Sequence, residues 1–182
     1  MTDLVCLDIS DNGCQRIDID FRGMTRLTSL IIQDNLHKME RGKLDSVILS
    51  DTICDLRSLT HLDLSNSDLW ALPREIGRLQ NLEVLDINGC MLLTMPACMS
   101  RLAKLKTLHA RENGFDEIVK DIGDMRSLTH ADMLNNNIRS IPASICDLVN
   151  LRYLCVSSEE DPVTPIGFEA FLASSPIEYR YY

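Results

Sequence analysis

A chain of 182 residues with 45% hydrophobic content is long enough for a single domain with one continuous core. Its net charge of −9 argues against nucleic acid as a partner, because phosphate binding needs clustered Lys and Arg to displace counterions. The longest uncharged apolar runs, such as residues 91–95, fall far short of the roughly 20 residues that a bilayer helix requires, so no membrane association is expected.

The first residues carry Asp3 and Asp8 where a signal peptide has basic and then apolar side chains, so a cytoplasmic location is expected. Seven cysteines, none in a C-x-x-C pair, read as reduced thiols.

From Leu4 onward the chain repeats a phrase of the form L-x-x-L-x-L-x-x-N. It opens at residues 4, 27, 59, 82, 105, 128 and 151, with a step of 23 in every copy but the second. The second copy spans 32 residues, which places an insertion within 36–46; its sequence from His37 to Lys43 is charged and contains Gly, as a surface loop should. Self-similarity at this length marks a stack of identical supersecondary units, each too small to bury its own apolar face.

Within a copy, Leu62-Asp63-Leu64 alternates as a short strand does. The following segment, from Pro73 to Leu79, spaces its apolar residues for one or two helical or 3₁₀ turns, with Pro73, Pro96 and Pro142 suited to a first turn.

The stretch from Leu59 to Leu82, LTHLDLSNSDLWALPREIGRLQNL, resembles a leucine-rich repeat. Its L-P-x-x-I-x-x-L continuation is similar to intracellular members, including the group that binds Ras-type GTPases and some bacterial effectors. The pattern departs from the family where Ser67 and Cys90 replace the Asn, where Asp18, Ser50 and Val119 replace the Pro, and where Ala110 and Ala131 replace strand leucines. The resemblance implies an α/β fold: a right-handed horseshoe solenoid with a concave parallel sheet and short helical or 3₁₀ turns on the convex side. The whole of 1–182 is then one domain. The repeat Asn is expected to satisfy backbone groups between coils.

If the fourth and sixth residues of the phrase point inward, the third, fifth and seventh point out of the concave floor. The fifth reads Asp8, Ile31, Asp63, Asp86, His109, Asp132 and Cys155; the third includes His61, His130 and Tyr153; the seventh includes Arg111. With Asp11, Asp34 and Glu112 at the eighth position, acids dominate this face, whereas the outer turns mix both signs. Asp8, His61, Asp63, Asp86, His109, Arg111, His130, Asp132 and Tyr153 are therefore the candidate partner-binding residues.

A cap is expected over 159–182, with a helix starting at Thr164 as N-cap and Pro165 in the first turn, and with Ile166 or Phe168, Phe171 and Leu172 closing the last coil. The open edge at the other end, near Leu4, offers a route to homodimerisation.

The chain lacks a phosphate-cradling glycine loop, an H-E-x-x-H and a G-x-S-x-G motif, so neither an enzyme nor a cofactor is expected. The leading expectation is a non-enzymatic recognition module or adaptor. Its acidic concave face would bind a protein with a basic surface, such as a small GTPase or another signalling protein. One alternative is a targeting or effector-type adaptor that uses convex and terminal surfaces, including a secreted bacterial effector acting inside a host cell. A more distant one is a metal-dependent enzyme around His61, His109 and His130.

Overall fold

The computed structural model describes residues 1–35, 48–157, 162–174 and 176–181. The insertion predicted within 36–46 lies outside the described residues, as do positions 159–161, 175 and 182 of the expected cap.

Ten short strands occur in chain order: β1 (Cys6–Asp8), β2 (Arg16–Ile17), β3 (Ser29–Ile31), β4 (Ile48–Leu49), β5 (His61–Asp63), β6 (Val84–Asp86), β7 (Thr107–His109), β8 (His130–Met133), β9 (Tyr153–Val156) and β10 (Glu178–Tyr181). Eight of them form one sheet in the order β1-β3-β5-β6-β7-β8-β9-β10, every neighbouring pair parallel. The remaining two, β2 and β4, pair in a separate two-stranded sheet.

Short 3₁₀ segments such as Ile76–Arg78, Ala97–Arg101, Ile122–Asp124 and Ala143–Asp147 return the chain for the next coil. The fold is a leucine-rich-repeat solenoid. Its prolines sit just outside the turns rather than within them. Pro96 and Pro142 are extended residues immediately before their 3₁₀ segments, and the Pro73 carbonyl accepts from Ile76 N at 3.0 Å.

Strand and turn meet over a single core running the length of the stack. Leu27, Leu30 and Ile32 of one coil, Leu59, Leu62 and Leu64 of the next, and Leu82, Leu85 and Ile87 of the third are all essentially inaccessible. Burial on this scale stabilises by about 1.5–3 kcal/mol per large apolar side chain. The first coil is less enclosed: Leu4, Leu7 and Ile9 are only partly buried.

Hydrophobic burial alone would leave the turns between coils with unpaired amides, and the repeat Asn prevents this. The Asn113 amide donates to Ile87 O (2.8 Å) in the preceding coil and to Arg111 O (2.9 Å) in its own, while its Oδ1 accepts from Cys90 N (3.2 Å) and Leu92 N (2.9 Å). Asn136 bridges to Ala110 O (2.9 Å) and Phe115 N (3.1 Å), and Asn35 to Ile9 O (2.7 Å) and Cys14 N (3.0 Å), in the same manner. At the same place Cys90 carries a thiol. Its Sγ donates to Leu64 O at 3.1 Å, and its own carbonyl accepts from Leu69 N at 3.1 Å, so the coil stays satisfied without the amide.

The C-terminal region departs from expectation. The helix, α1, spans Phe168–Ser174 and not Thr164 onward, because Gly167 adopts a left-handed φ of +88° that breaks any continuity with Pro165. Pro165 O instead closes a turn onto Phe168 N at 3.1 Å. Ile166 is fully exposed and takes no part in closure; Phe168 and Phe171 are buried and Leu172 is partly so. Tyr179 meets Phe168 edge-on at 5.4 Å, and its strand β10 adds to the sheet beside β9.

Replacing Asn136 with Leu removes the acceptor of the Phe115 amide and leaves the Ala110 carbonyl only the longer bond from Asn113 Nδ2 at 3.3 Å, and it should lower unfolding free energy by roughly 1–3 kcal/mol in a denaturant titration. Gly77→Ala should cost about 1–3 kcal/mol by the same measurement. A Cβ there would stand 2.0 Å from the Cys98 carbonyl oxygen of the next turn, where backbone must move.

Candidate protein-binding face

Strand pairing sets the fifth residues of the phrase side by side: Asp8 opposite Ile31, Ile31 opposite Asp63, Asp63 opposite Asp86, Asp86 opposite His109, His109 opposite Asp132, and Asp132 opposite Cys155. Neighbouring rungs of such a ladder are about 4.8 Å apart.

Each aspartate has a local duty. Asp8 Oδ1 accepts from Ser10 N (3.0 Å) and Ser10 Oγ (2.7 Å), Asp63 Oδ1 from Ser65 N (2.9 Å) and Ser65 Oγ (2.7 Å), and Asp86 Oδ1 from Asn88 N (3.0 Å). This bond fixes the carboxylate against the end of its strand, and among the described residues no donor reaches its other oxygen. The Ser10 hydroxyl and amide hold the Asp8 carboxyl below its ordinary range. Burial pushes Asp86 the other way, opposed by the Asn88 amide and reinforced by the neighbouring charge of Asp63.

Asp132 differs. Its side chain is only 11% exposed, and Oδ2 accepts from Arg111 Nε at 2.7 Å while Oδ1 takes a longer bond from Leu134 N at 3.3 Å. The bond to Asp132 raises the Arg111 guanidinium above its ordinary value, and Tyr153 lies against the same group. One carboxylate of the ladder is thus neutralised by Arg111, and the negative charge is concentrated toward β1, β5 and β6.

Next to this pair lies a depression of about 270 Å³ lined by Thr107, His109, His130, Asp132 and Tyr153. The His130 and Tyr153 rings stack with centroids 6.2 Å apart and planes inclined by 25°. His130 Nδ1 shares a hydrogen bond with Thr129 Oγ1 at 2.9 Å, and His61 repeats this with Thr60 Oγ1 at 2.8 Å. His61 stands on β5, two strands from His109, so the three histidines do not converge. Among the described residues no group of three or more His, Cys, Asp and Glu is placed to hold a metal ion.

The cysteines offer no activated nucleophile among the buried positions: burial pushes the thiols of Cys54 and Cys90 up to about 12. Among the described residues no helix is long and apolar enough to cross a membrane.

The acids at the eighth position have a backbone role that sequence periodicity does not reveal. Asp11, Asp34, Asn66, Gly89, Glu112 and Asn135 all adopt φ between 51° and 61°, the left-handed turn that takes the chain off the sheet. Asp, Asn and Gly tolerate this conformation best, which accounts for Asp11 and Asp34 without any partner.

Arg111→Gln should destabilise the fold by roughly 1–2 kcal/mol, since it strands a nearly buried carboxylate whose cost is moderated by the half-exposed arginine. Adding Asp132→Asn should recover most of that loss, a coupling read from a double-mutant cycle by chemical denaturation.

Comparison with known proteins agrees with this architecture. The family model for a leucine-rich repeat region matches residues 38–114. The chain is 30% identical over 173 residues to TMV resistance protein N of Nicotiana glutinosa, covering 76% of this chain and 15% of that protein. It is 28% identical over 177 residues to an adenylate cyclase of Schizosaccharomyces pombe, covering 85% and 10%. Among solved structures, internalin C2 from Listeria monocytogenes shares the fold with a TM-score of 0.78 at 21% identity, covering 100% of this chain and 72% of that one. The chain therefore spans only a small fraction of the curated relatives' length. Domains of this kind are typically protein–protein interaction modules. The repeat phrase, the asparagine bridges between coils and these matches together make the chain a member of the leucine-rich-repeat family.

Proposed function

We propose that this leucine-rich-repeat domain is a non-enzymatic recognition module, an adaptor that binds a protein with a basic surface on its acidic concave face. One observation carries the reading: Asp63 and Asp86 stand on adjacent strands, and among the described residues no protein donor reaches the second oxygen of either. Like charges at this spacing weaken the sheet slightly, a cost that a cationic partner removes. Complementarity of this kind mainly speeds encounter and selects the partner. A small GTPase or another cytoplasmic signalling protein with a basic patch has the required chemistry.

A second reading draws on the convex side. A cleft of about 620 Å³ opens there among Arg22, Asp51, Leu72, Arg74 and Arg78, and Trp70 nearby in sequence is 51% exposed. A targeting or effector-type adaptor would use such a surface in place of the concave floor.

Affinity capture from lysate with the wild type and an Asp63→Lys, Asp86→Lys variant separates the two. Both sites are partly exposed and outside the Arg111–Asp132 pair, so the fold should survive. The expected outcome is a set of captured proteins that is salt-sensitive in the wild type and largely lost in the variant. An unchanged set would rule out the concave reading and favour the convex one.

A further inference from the structure

The depression at the β8 end of the concave face differs chemically from the acidic rungs beside it. Asp132 lies in its floor, but both carboxylate oxygens are already engaged, by Arg111 Nε at 2.7 Å and Leu134 N at 3.3 Å. Its walls are rings: His130 and Tyr153 stacked at 6.2 Å, with His109 beside them. A compensated floor and ring walls favour a planar uncharged side chain, which gains area and stacking there without needing a counter-charge. The free oxygens of Asp63 and Asp86 favour a cation. A guanidinium suits two adjacent carboxylates better than an ammonium does, because its planar fork can donate to both. The chain itself offers a precedent for an arginine on this row, since Arg111 Nε binds one carboxylate oxygen of Asp132 at 2.7 Å.

We propose that the concave face binds one extended segment of a partner protein, with an arginine over Asp63 and Asp86 and an aromatic side chain four residues away seated between His109, His130 and Tyr153. This rests on the reading of the concave face as the partner surface, and it adds an order of side chains to the charge complementarity argued there. The spacing comes from the sheet. The midpoint of the Asp63–Asp86 pair lies about two and a half strand spacings from β8, roughly 12 Å at about 4.8 Å per strand. An extended chain rises about 3.3 Å per residue and returns to the same face every second residue, so residues i and i+4 span about 13 Å, whereas i and i+2 reach only about 7 Å.

The test uses blocked synthetic peptides titrated into the intact chain and followed by NMR, through the backbone amides of Asp63 and Asp86 and the ring signals of His109 and His130. Arg-Ser-Gly-Ser-Trp and Trp-Ser-Gly-Ser-Arg cover both chain directions; Arg-Ser-Trp and peptides with Ser in place of Trp or of Arg are controls. One of the two long peptides should bind at least tenfold more tightly than every control. Tyr153→Ser and His130→Ala, both at accessible positions, should each abolish the gain contributed by Trp and leave the arginine-dependent part. Asp63→Asn with Asp86→Asn should remove that part.

If Trp adds nothing, or if its gain survives both ring substitutions, the proposed segment is wrong. Arginine-dependent, salt-sensitive binding that persists in that case leaves the acidic-face reading standing. Failure of every peptide to bind also overturns the segment, whereas the acidic-face reading is decided separately by the charge-reversal capture.

Discussion

Every coil of this molecule must satisfy the backbone polar groups of its neighbour, and that requirement organises the rest. A parallel sheet built from strands of three or four residues has few ladder hydrogen bonds per coil, and the turns that leave it would bury amides with no water to replace them. Asn35, Asn113 and Asn136 meet the demand by reaching from one coil into the next with donor and acceptor on a single side chain. Once those bridges fix the rise between coils, the leucines stack, the strands pair in register, and the outward residues fall into rows.

The row of aspartates illustrates how structural and recognition roles share one side chain. Asp8, Asp63 and Asp86 each use one oxygen to hold the end of their own strand, and among the described residues no donor reaches the other. Asp132 has spent both, which divides the face into an acidic part near Asp63 and Asp86 and a compensated, ring-lined part near Tyr153. The division is electrostatic as well as steric, because burial and mutual repulsion at Asp86 make its charge costly to keep uncovered, while Arg111 removes that cost at Asp132. The preference of turns for Asp explains Asp11 and Asp34 separately, so the number of acids on this side overstates the surface offered to a partner.

Much of the fold could be read from the sequence because its determinants recur. Leu62, Leu64 and Asn113 announce their roles through position in a phrase, and the facing of Asp63, Asp86 and His109 follows from alternation. What escaped notice does not recur. The Arg111–Asp132 pair joins the seventh residue of one coil to the fifth of the next, a diagonal contact that only a register in three dimensions reveals. The Thr-Pro pair at Thr164 and Pro165 has the composition of a helix start, but Gly167 interrupts it with a left-handed φ of +88°, a conformation open to glycine that the Thr-Pro pair does not signal. Strand β10 has no phrase at all; Glu178 to Tyr181 become a strand because β9 offers an open edge to pair with.

The pairing of β3 with β5 matches Ser29 to His61 across a separation of 32 residues, yet the rungs continue as they do where the separation is 23. The length of a coil and the register of its strands are therefore independent variables. Selection can rewrite the far side of a coil, adding or removing segments, without retuning the floor, and can change a single rung without disturbing the far side. Such a molecule can acquire a second specificity while preserving the first, because the two are encoded in parts of the repeat that do not share a mechanical constraint.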